Sequence, residues 1–249
     1  MIKTLALVIV LCPLLGSILA GLCGSLIGRK NTHRLTIFLM LVAFTVACWL
    51  MRSVFVDHLN FNGAIYTWAV SGSFHFDIGF LVDRLTAVMM VTVTFVSLLV
   101  HIYSMGYMKE DSGYQRFFSY VSLFTFMMLM LVTANNFMQL FLGWEGVGLV
   151  SYLLIGFWFS KESAAQGGLK AFIVNRVGDM GLILGLAGII DYFGSLDYKT
   201  VFLKAQSMAD SHIVLLPGHS WLLITVICIL LFIGAMGKSA QFPLHVWLP

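Results

Sequence analysis

Charge is what this chain of 249 residues has least of: Asp, Glu, Lys and Arg together make up 10% of it. Soluble domains carry roughly 25%, so a water-soluble globular fold is excluded. The formal net charge of +3 gives no basic surface for a nucleic-acid partner. Cysteine is as sparse. Cys12, Cys23, Cys48 and Cys228 stand singly in apolar runs with no C-x-x-C spacing, so zinc and iron–sulfur sites are not indicated and all four read as small packing residues. His33, His58, His75, His212 and His219 read as loop residues, His101 as the end of a helix and His245 as lying near the chain end. None has a second ligand at helical spacing, and these residues carry no redox chemistry. A cleavable signal is absent too. The first apolar run is long, lacks a small-x-small cleavage site and ends at "GRKNTHR", which describes a first spanning helix that stays.

What is present is oil: 60% apolar residues and a mean hydropathy of +0.96. About 20 apolar residues span the hydrocarbon core of a bilayer. That length predicts seven crossings, near residues 2–24, 35–51, 83–105, 116–134, 136–158, 168–190 and 221–247. Arg29, Lys30, Arg34, Lys109, Arg116, Lys161 and Lys170 fall on one side of these crossings; Lys3, Arg52, Arg84, Lys199 and Lys204 fall on the other. The positive-inside rule then puts the N-terminus outside and the first loop in the cytoplasm. Two segments on the outer side read as structural covers. "AIYTWAVSGSFHFDIGF", near 64–80, alternates weakly around Ser71-Gly72-Ser73 and predicts a short hairpin. "LDYKTVFLKAQSMAD" puts Tyr198, Val201, Phe202, Ala205, Met208 and Ala209 on one helical face behind Asp197 as N-cap, which predicts a helix along the membrane surface.

Against this background, acids inside the apolar runs stand out. Glu145 lies near the middle of "FMQLFLGWEGVGLVSYLLIGFW", flanked by Gly143, Gly146 and Gly148. Asp179 lies in the middle of the sixth crossing, with Arg176 one turn earlier on the same face, where it offsets part of the cost of the acid. Gly178, Gly181, Gly185 and Gly188 draw a smooth stripe along that helix, on which another helix can pack closely. Ionisable side chains at such depth mark ion paths.

The seventh crossing, "WLLITVICILLFIGAMGKSAQFPLHVWLP", is too long to be one straight helix. From Trp221 to Trp247 it would measure about 39 Å at 1.5 Å per residue, against a core of roughly 30 Å. Pro243 has no N–H for the carbonyl of Ser239, and Gly234 and Gly237 weaken the preceding turn, so the break is predicted around Lys238. The free carbonyls of a helix end inside a membrane favour a cation. Counted from Trp158 and Trp247, Glu145 and Lys238 lie at depths differing by about 6 Å. Direct or one-water contact between them is therefore expected, and pairing with the acid governs whether the lysine holds its proton.

"LFLGWEGVGLVSYLLIGFW", "NRVGDMG", "GAMGKSAQFPLHVWLP" and, earlier, "HIYSMGYMKEDSGYQRFFSY" closely resemble the largest antiporter-like subunit family of respiratory complex I, subunit L in bacteria and chain 5 in mitochondria. The resemblance implies an all-α polytopic bundle with inverted repeats, each carrying a broken helix. It divides the chain into N-terminal helices over 1–134 and the start of a proton-translocating domain over 135–249. It implies proton translocation through Glu145, Lys238, Asp179 and Arg176, as part of an H+-translocating NADH:quinone oxidoreductase. NADH, FMN, iron–sulfur clusters and quinone would then sit on partner subunits. The implied partners are the other membrane subunits of the complex, the lipid bilayer and protons; the implied location is the bacterial inner membrane rather than the mitochondrial one. Because the family's pattern continues past Pro249, the chain reads as an N-terminal fragment. The alternative is the large subunit of a multisubunit sodium/proton antiporter, which shares "GKSAQFP". A third reading is a scaffold with relic charges.

Overall fold

A computed structural model describes residues 1–72 and 74–248 of the chain. Among the described residues, six helices are long and apolar enough to cross a membrane: Ile2–Leu22 (α1), Arg29–Phe55 (α3), Arg84–Tyr107 (α4), Tyr114–Val132 (α5), Phe137–Ile155 (α6) and Glu162–Phe193 (α7). A seventh apolar helix, Leu223–Lys238 (α9), is shorter. Two small helices, Gly24–Ile27 (α2) and Tyr198–Ala205 (α8), lie between the long ones in sequence. Two antiparallel hairpins complete the described elements: Phe61–Ser71 (β1) with Phe74–Val82 (β2), and His212–Leu216 (β3) with His219–Leu222 (β4). The architecture is that of an integral membrane helix bundle, with both hairpins and α8 at one end.

Local chemistry sets the element boundaries. Asp83 caps α4 by accepting from the Thr86 N–H at 2.8 Å, Asn136 caps α6 through Gln139 N–H at 2.8 Å, and Asp197 caps α8 through Thr200 N–H at 3.0 Å. Gly194 ends α7 at φ +66°, a left-handed geometry that suits glycine. At the hairpin end, Gln139 ties three elements together. Its side-chain oxygen accepts from Gly79 N–H on β2 at 2.7 Å and its amide donates to Met130 O on α5 at 3.2 Å.

Several boundaries differ from the sequence reading. The second crossing begins at Arg29 rather than 35, so His33 lies inside a helix and not in a loop. The sixth extends from Glu162 to Phe193 rather than 168–190. His75, His212 and His219 belong to strands; of the five histidines assigned to loops only His58 lies in one. The seventh crossing does not start at Trp221, because Trp221 pairs with Ile213 across the β3–β4 hairpin and the helix begins at Leu223. Pro217-Gly218, with Gly218 at φ +83°, makes the reversal between those strands. The first hairpin is there and runs longer, from Phe61 to Val82. Ser73 of its expected turn, like Pro249, lies outside the described residues. The amphipathic segment forms α8 over Tyr198–Ala205 and continues as a single 3-10 turn over Gln206–Met208. Val201 is its buried anchor, packed with Phe193 and Leu223, while Phe202 stays exposed.

A small packing centre forms around Met108, Tyr114, Phe118 and Phe157, beside two larger ones. One joins α1, α3, α4, α5 and the first hairpin around Ile9, Leu50, Phe80, Met90 and Leu129. The other joins α7, α8 and α9 around Leu182, Leu186, Ile189, Val201 and Ile227.

Candidate functional site

Glycines bring α6, α7 and α9 together. The α7 stripe does receive a helix, and that helix is α9. A Cβ on Gly178 would lie 3.0 Å from Gly237 Cα, one on Gly181 2.7 Å from the Ile233 side chain, and one on Gly185 2.8 Å from Leu231. Without a hydrophobic drive between helices in lipid, such close backbone approach is what holds a pair together. On α6, Gly143 receives the backbone of Leu131 on α5 and Gly146 receives Met127. Gly148 receives something else: a Cβ there would overlap the ammonium of Lys238.

All four predicted site residues meet at this seam, in a pairing the sequence did not foresee. Glu145 on α6 is bound by the guanidinium of Arg176 on α7. Arg176 also stands 3.8 Å from Asp179, one turn away, and stacks over the Phe172 ring with its charge 4.8 Å from the ring centre. Asp179 is 2% exposed and accepts the indole N–H of Trp144 at 2.7 Å. Lys238, the last residue of α9, reaches back to α6 and lies over the same indole, its ammonium 5.8 Å from the ring centre. Among the described residues no ion pair joins Lys238 to Glu145; Arg176 has taken that acid instead. The ammonium reaches α6 at Gly148, three residues and about 4.5 Å along the axis from Glu145.

The break in the seventh helix falls where expected. Regular helix ends at Lys238, Ala240 takes φ +49°, and a 3-10 turn follows over Leu244–Trp247. Its carbonyls, however, are not left to a cation. Ala235 O accepts from Ser239 N–H at 2.9 Å and Met236 O from Gln241 N–H at 3.0 Å. Gly237 O accepts the Trp247 indole at 2.9 Å. Trp247 therefore folds back onto the helix end rather than marking an interface. Lys238 is freed from capping and turns toward α6.

Four buried polar atoms in this cluster have no hydrogen-bond partner: Glu145 Oε1, Asn175 Oδ1, Asp179 Oδ2 and Lys238 Nζ. Native interiors leave few such atoms, and a cluster of them calls for an explanation. Trp144 and Asn175 are the members that the sequence reading passed over. Both had a signal: an indole N–H in an apolar run needs an acceptor, and Asn175 stands four residues before Asp179 on one helix face. Elsewhere, a groove of about 460 Å³ at the hairpin end is lined by Asn62, His75, Asp77, Asn135, Asp197 and Lys199. It contains none of the seam's charges. His101 is fully buried and satisfied on both ring nitrogens, by Ser97 O at 2.7 Å and Ser122 Oγ at 2.9 Å, as a structural residue should be.

Residues 134–249 match the family described as NADH:quinone oxidoreductase/Mrp antiporter transmembrane region, and residues 68–118 match the N-terminus of complex I chain 5. NADH-quinone oxidoreductase subunit L of Neisseria meningitidis serogroup B is 56% identical over 99% of this chain. That of Rickettsia bellii is 48% identical over 100% of it, and NADH-ubiquinone oxidoreductase chain 5 of Marchantia polymorpha 47% over 98%. The chain belongs to the subunit L/chain 5 family. It spans 37%, 39% and 36% of the length of these three relatives. The same fold recurs at lower identity. A chain of the Mrp complex from Dietzia sp. superposes with a TM-score of 0.76 at 23% identity, over 99% of this chain and 25% of that one. A chain of an archaeal membrane-bound sulfane sulfur reductase superposes with 0.75 at 19%, over 96% and 35%.

Proposed function

We propose that this chain is the N-terminal part of a proton-translocating membrane subunit of an NADH:quinone oxidoreductase, with Glu145, Arg176, Asp179 and Lys238 as its proton-handling residues. The observation that carries the proposal is the buried seam itself. Two acids, one guanidinium and one ammonium converge from three helices beside a helix break, with three of the four owning an unpartnered polar atom. Arg176 does not release its proton in proteins, so it acts as a fixed charge between two carboxylates. Its move from Glu145 toward Asp179 would leave Glu145 to Lys238, and that exchange of partners sets whether the lysine keeps its proton. NADH, flavin, iron–sulfur and quinone chemistry falls to partner subunits in this reading. Residues 135–249 begin the translocating unit, and residues 1–134 are the helices packed against it. The Lys and Arg distribution supports an orientation with the hairpin end outside, and the bacterial inner membrane is the location proposed for it.

The test is Glu145→Gln in the full-length subunit within its complex. Gln keeps shape and hydrogen bonding and removes the titratable charge. NADH oxidation and assembly should persist while protons moved per electron fall. Unchanged pumping would support the scaffold reading. The family description that covers both oxidoreductase and Mrp antiporter keeps sodium/proton exchange as the second reading. Sodium-dependent, NADH-independent proton uptake into vesicles would favour it.

A further inference from the structure

We propose that Trp144 is the positioning residue of this site, holding Asp179 by its indole N–H and seating the Lys238 ammonium on its ring above the gap left by Gly148. The inference rests on the proton-translocation reading and adds to it how an acid on α7 and a lysine on α9 are tied to one side chain of α6. Three observations converge. The Trp144 Nε1–Asp179 Oδ1 distance of 2.7 Å is that of a strong hydrogen bond to a carboxylate. The Lys238 ammonium lies 5.8 Å from the ring centre, within the range at which a cation is attracted to an indole face. And Gly148 has no side chain where that ammonium lies, so the seat is shaped for the lysine and not merely near it.

Trp144 contacts two of the four charges, and Arg176 connects the other two to them, standing 3.8 Å from Asp179. Glu145 is held by Arg176. Asp179 and Lys238 are held by Trp144, neither with its full complement of bonds, since Asp179 Oδ2 and Lys238 Nζ have no hydrogen-bond partner. A cation–π seat attracts the ammonium without accepting its proton. It therefore holds Lys238 beside α6 while leaving its N–H groups available, which a carboxylate in the same place would not do. Rotating the indole would release Asp179 and unseat Lys238 in a single movement.

The experiment compares Trp144→Phe, Trp144→Leu, Gly148→Ala and Glu145→Gln in the full-length subunit within its complex, reconstituted in vesicles. Electron transfer from NADH and proton uptake are read together across pH. Trp144→Leu removes both contacts and should lower protons per electron furthest, below the ratio of Trp144→Phe. Trp144→Phe keeps a ring and loses the N–H. It should pump at an intermediate ratio and move the midpoint of the pumping pH profile, whose charged groups are Glu145 from α6, Arg176 and Asp179 from α7, and Lys238 from α9. Gly148→Ala should lower the ratio with Trp144 intact, by displacing the ammonium. A packing role alone would scale the profile down without moving its midpoint, and that result overturns the proposal. So does pumping at the wild-type ratio in Trp144→Phe and Gly148→Ala, a comparison that decides the matter even where Trp144→Leu fails to assemble. In both cases a defective Glu145→Gln shows that the translocation reading stands without Trp144; a fully active Glu145→Gln shows that the reading itself has failed.

Discussion

The α4–α5 interface and the α6–α7–α9 seam both bury polar side chains in an apolar bundle, and they treat them in opposite ways. Between α4 and α5 the groups are neutral and closed. Ser97 O accepts from the Nδ1–H of His101, Nε2 of the same ring meets the Ser122 hydroxyl, and Ser97 Oγ bonds Thr125 Oγ1 at 2.6 Å, which donates onward to Val121 O at 2.9 Å. None of these atoms is among the buried polar atoms without partners. In the seam the groups are charged, and Glu145, Asp179 and Lys238 each have such an atom. A closed network locks two helices in one arrangement; an open one can be rewired. The difference separates a clamp from a site.

The sharpest way to break the comparison by stability is at Asp179. Asp179→Leu removes the acceptor of the Trp144 N–H and leaves that donor buried, at a cost of about 1–3 kcal/mol. Asp179→Asn keeps an acceptor. The Leu variant should therefore melt lower than the Asn variant in the purified complex, and equal melting temperatures would count against the Trp144–Asp179 bond. Next comes the clamp. His101→Ala strips the Ser122 hydroxyl of its ring partner, and the melting temperature should fall by the equivalent of roughly 1–3 kcal/mol for an unsatisfied buried group. Protons moved per electron should not change. A loss of pumping with normal stability would put His101 in the proton path and erase the distinction between the two regions.

The smallest expected effect lies outside the membrane. In the loop between α4 and α5, Asp111 accepts from the Trp158 indole at 2.7 Å and from Gly113 N–H at 2.7 Å. These bonds, the indole first, hold its carboxyl below the usual carboxylate range. A depressed folded-state value means that the contact contributes stability above the unfolded carboxylate's range, and that the contribution is lost as pH falls through the folded value. The loop should thus detach from the end of α6 only in strong acid. Trp158 fluorescence, taken as the difference between wild type and Trp158→Phe, should show the transition, and Asp111→Asn should remove it.

Much of the bundle was legible in the sequence because lipid leaves few alternatives to apolar helices of spanning length. The α7 glycines, the break at Lys238 and the depth of both acids are written in one stretch of chain each. The hairpin over His212–Leu222 was hidden because Trp221 and Leu222 run without interruption into the apolar helix that follows, and only Pro217-Gly218 betrays the turn. The pairing inside the seam was hidden for another reason. Helical spacing places Arg176 beside Asp179, but which acid it binds depends on how α6 lies against α7, which no local spacing fixes. The satisfied carbonyls at the break depend on Trp247 folding back ten residues, which no local pattern announces.

The central claim is that Lys238 is a proton carrier and not just a positive charge. Lys238→Arg tests it most directly, because guanidinium keeps the charge and can stack on Trp144 but does not release its proton. Protons moved per electron, measured on the assembled complex with the full-length subunit, should fall while NADH oxidation continues. Pumping by the arginine variant at the wild-type ratio would contradict the account.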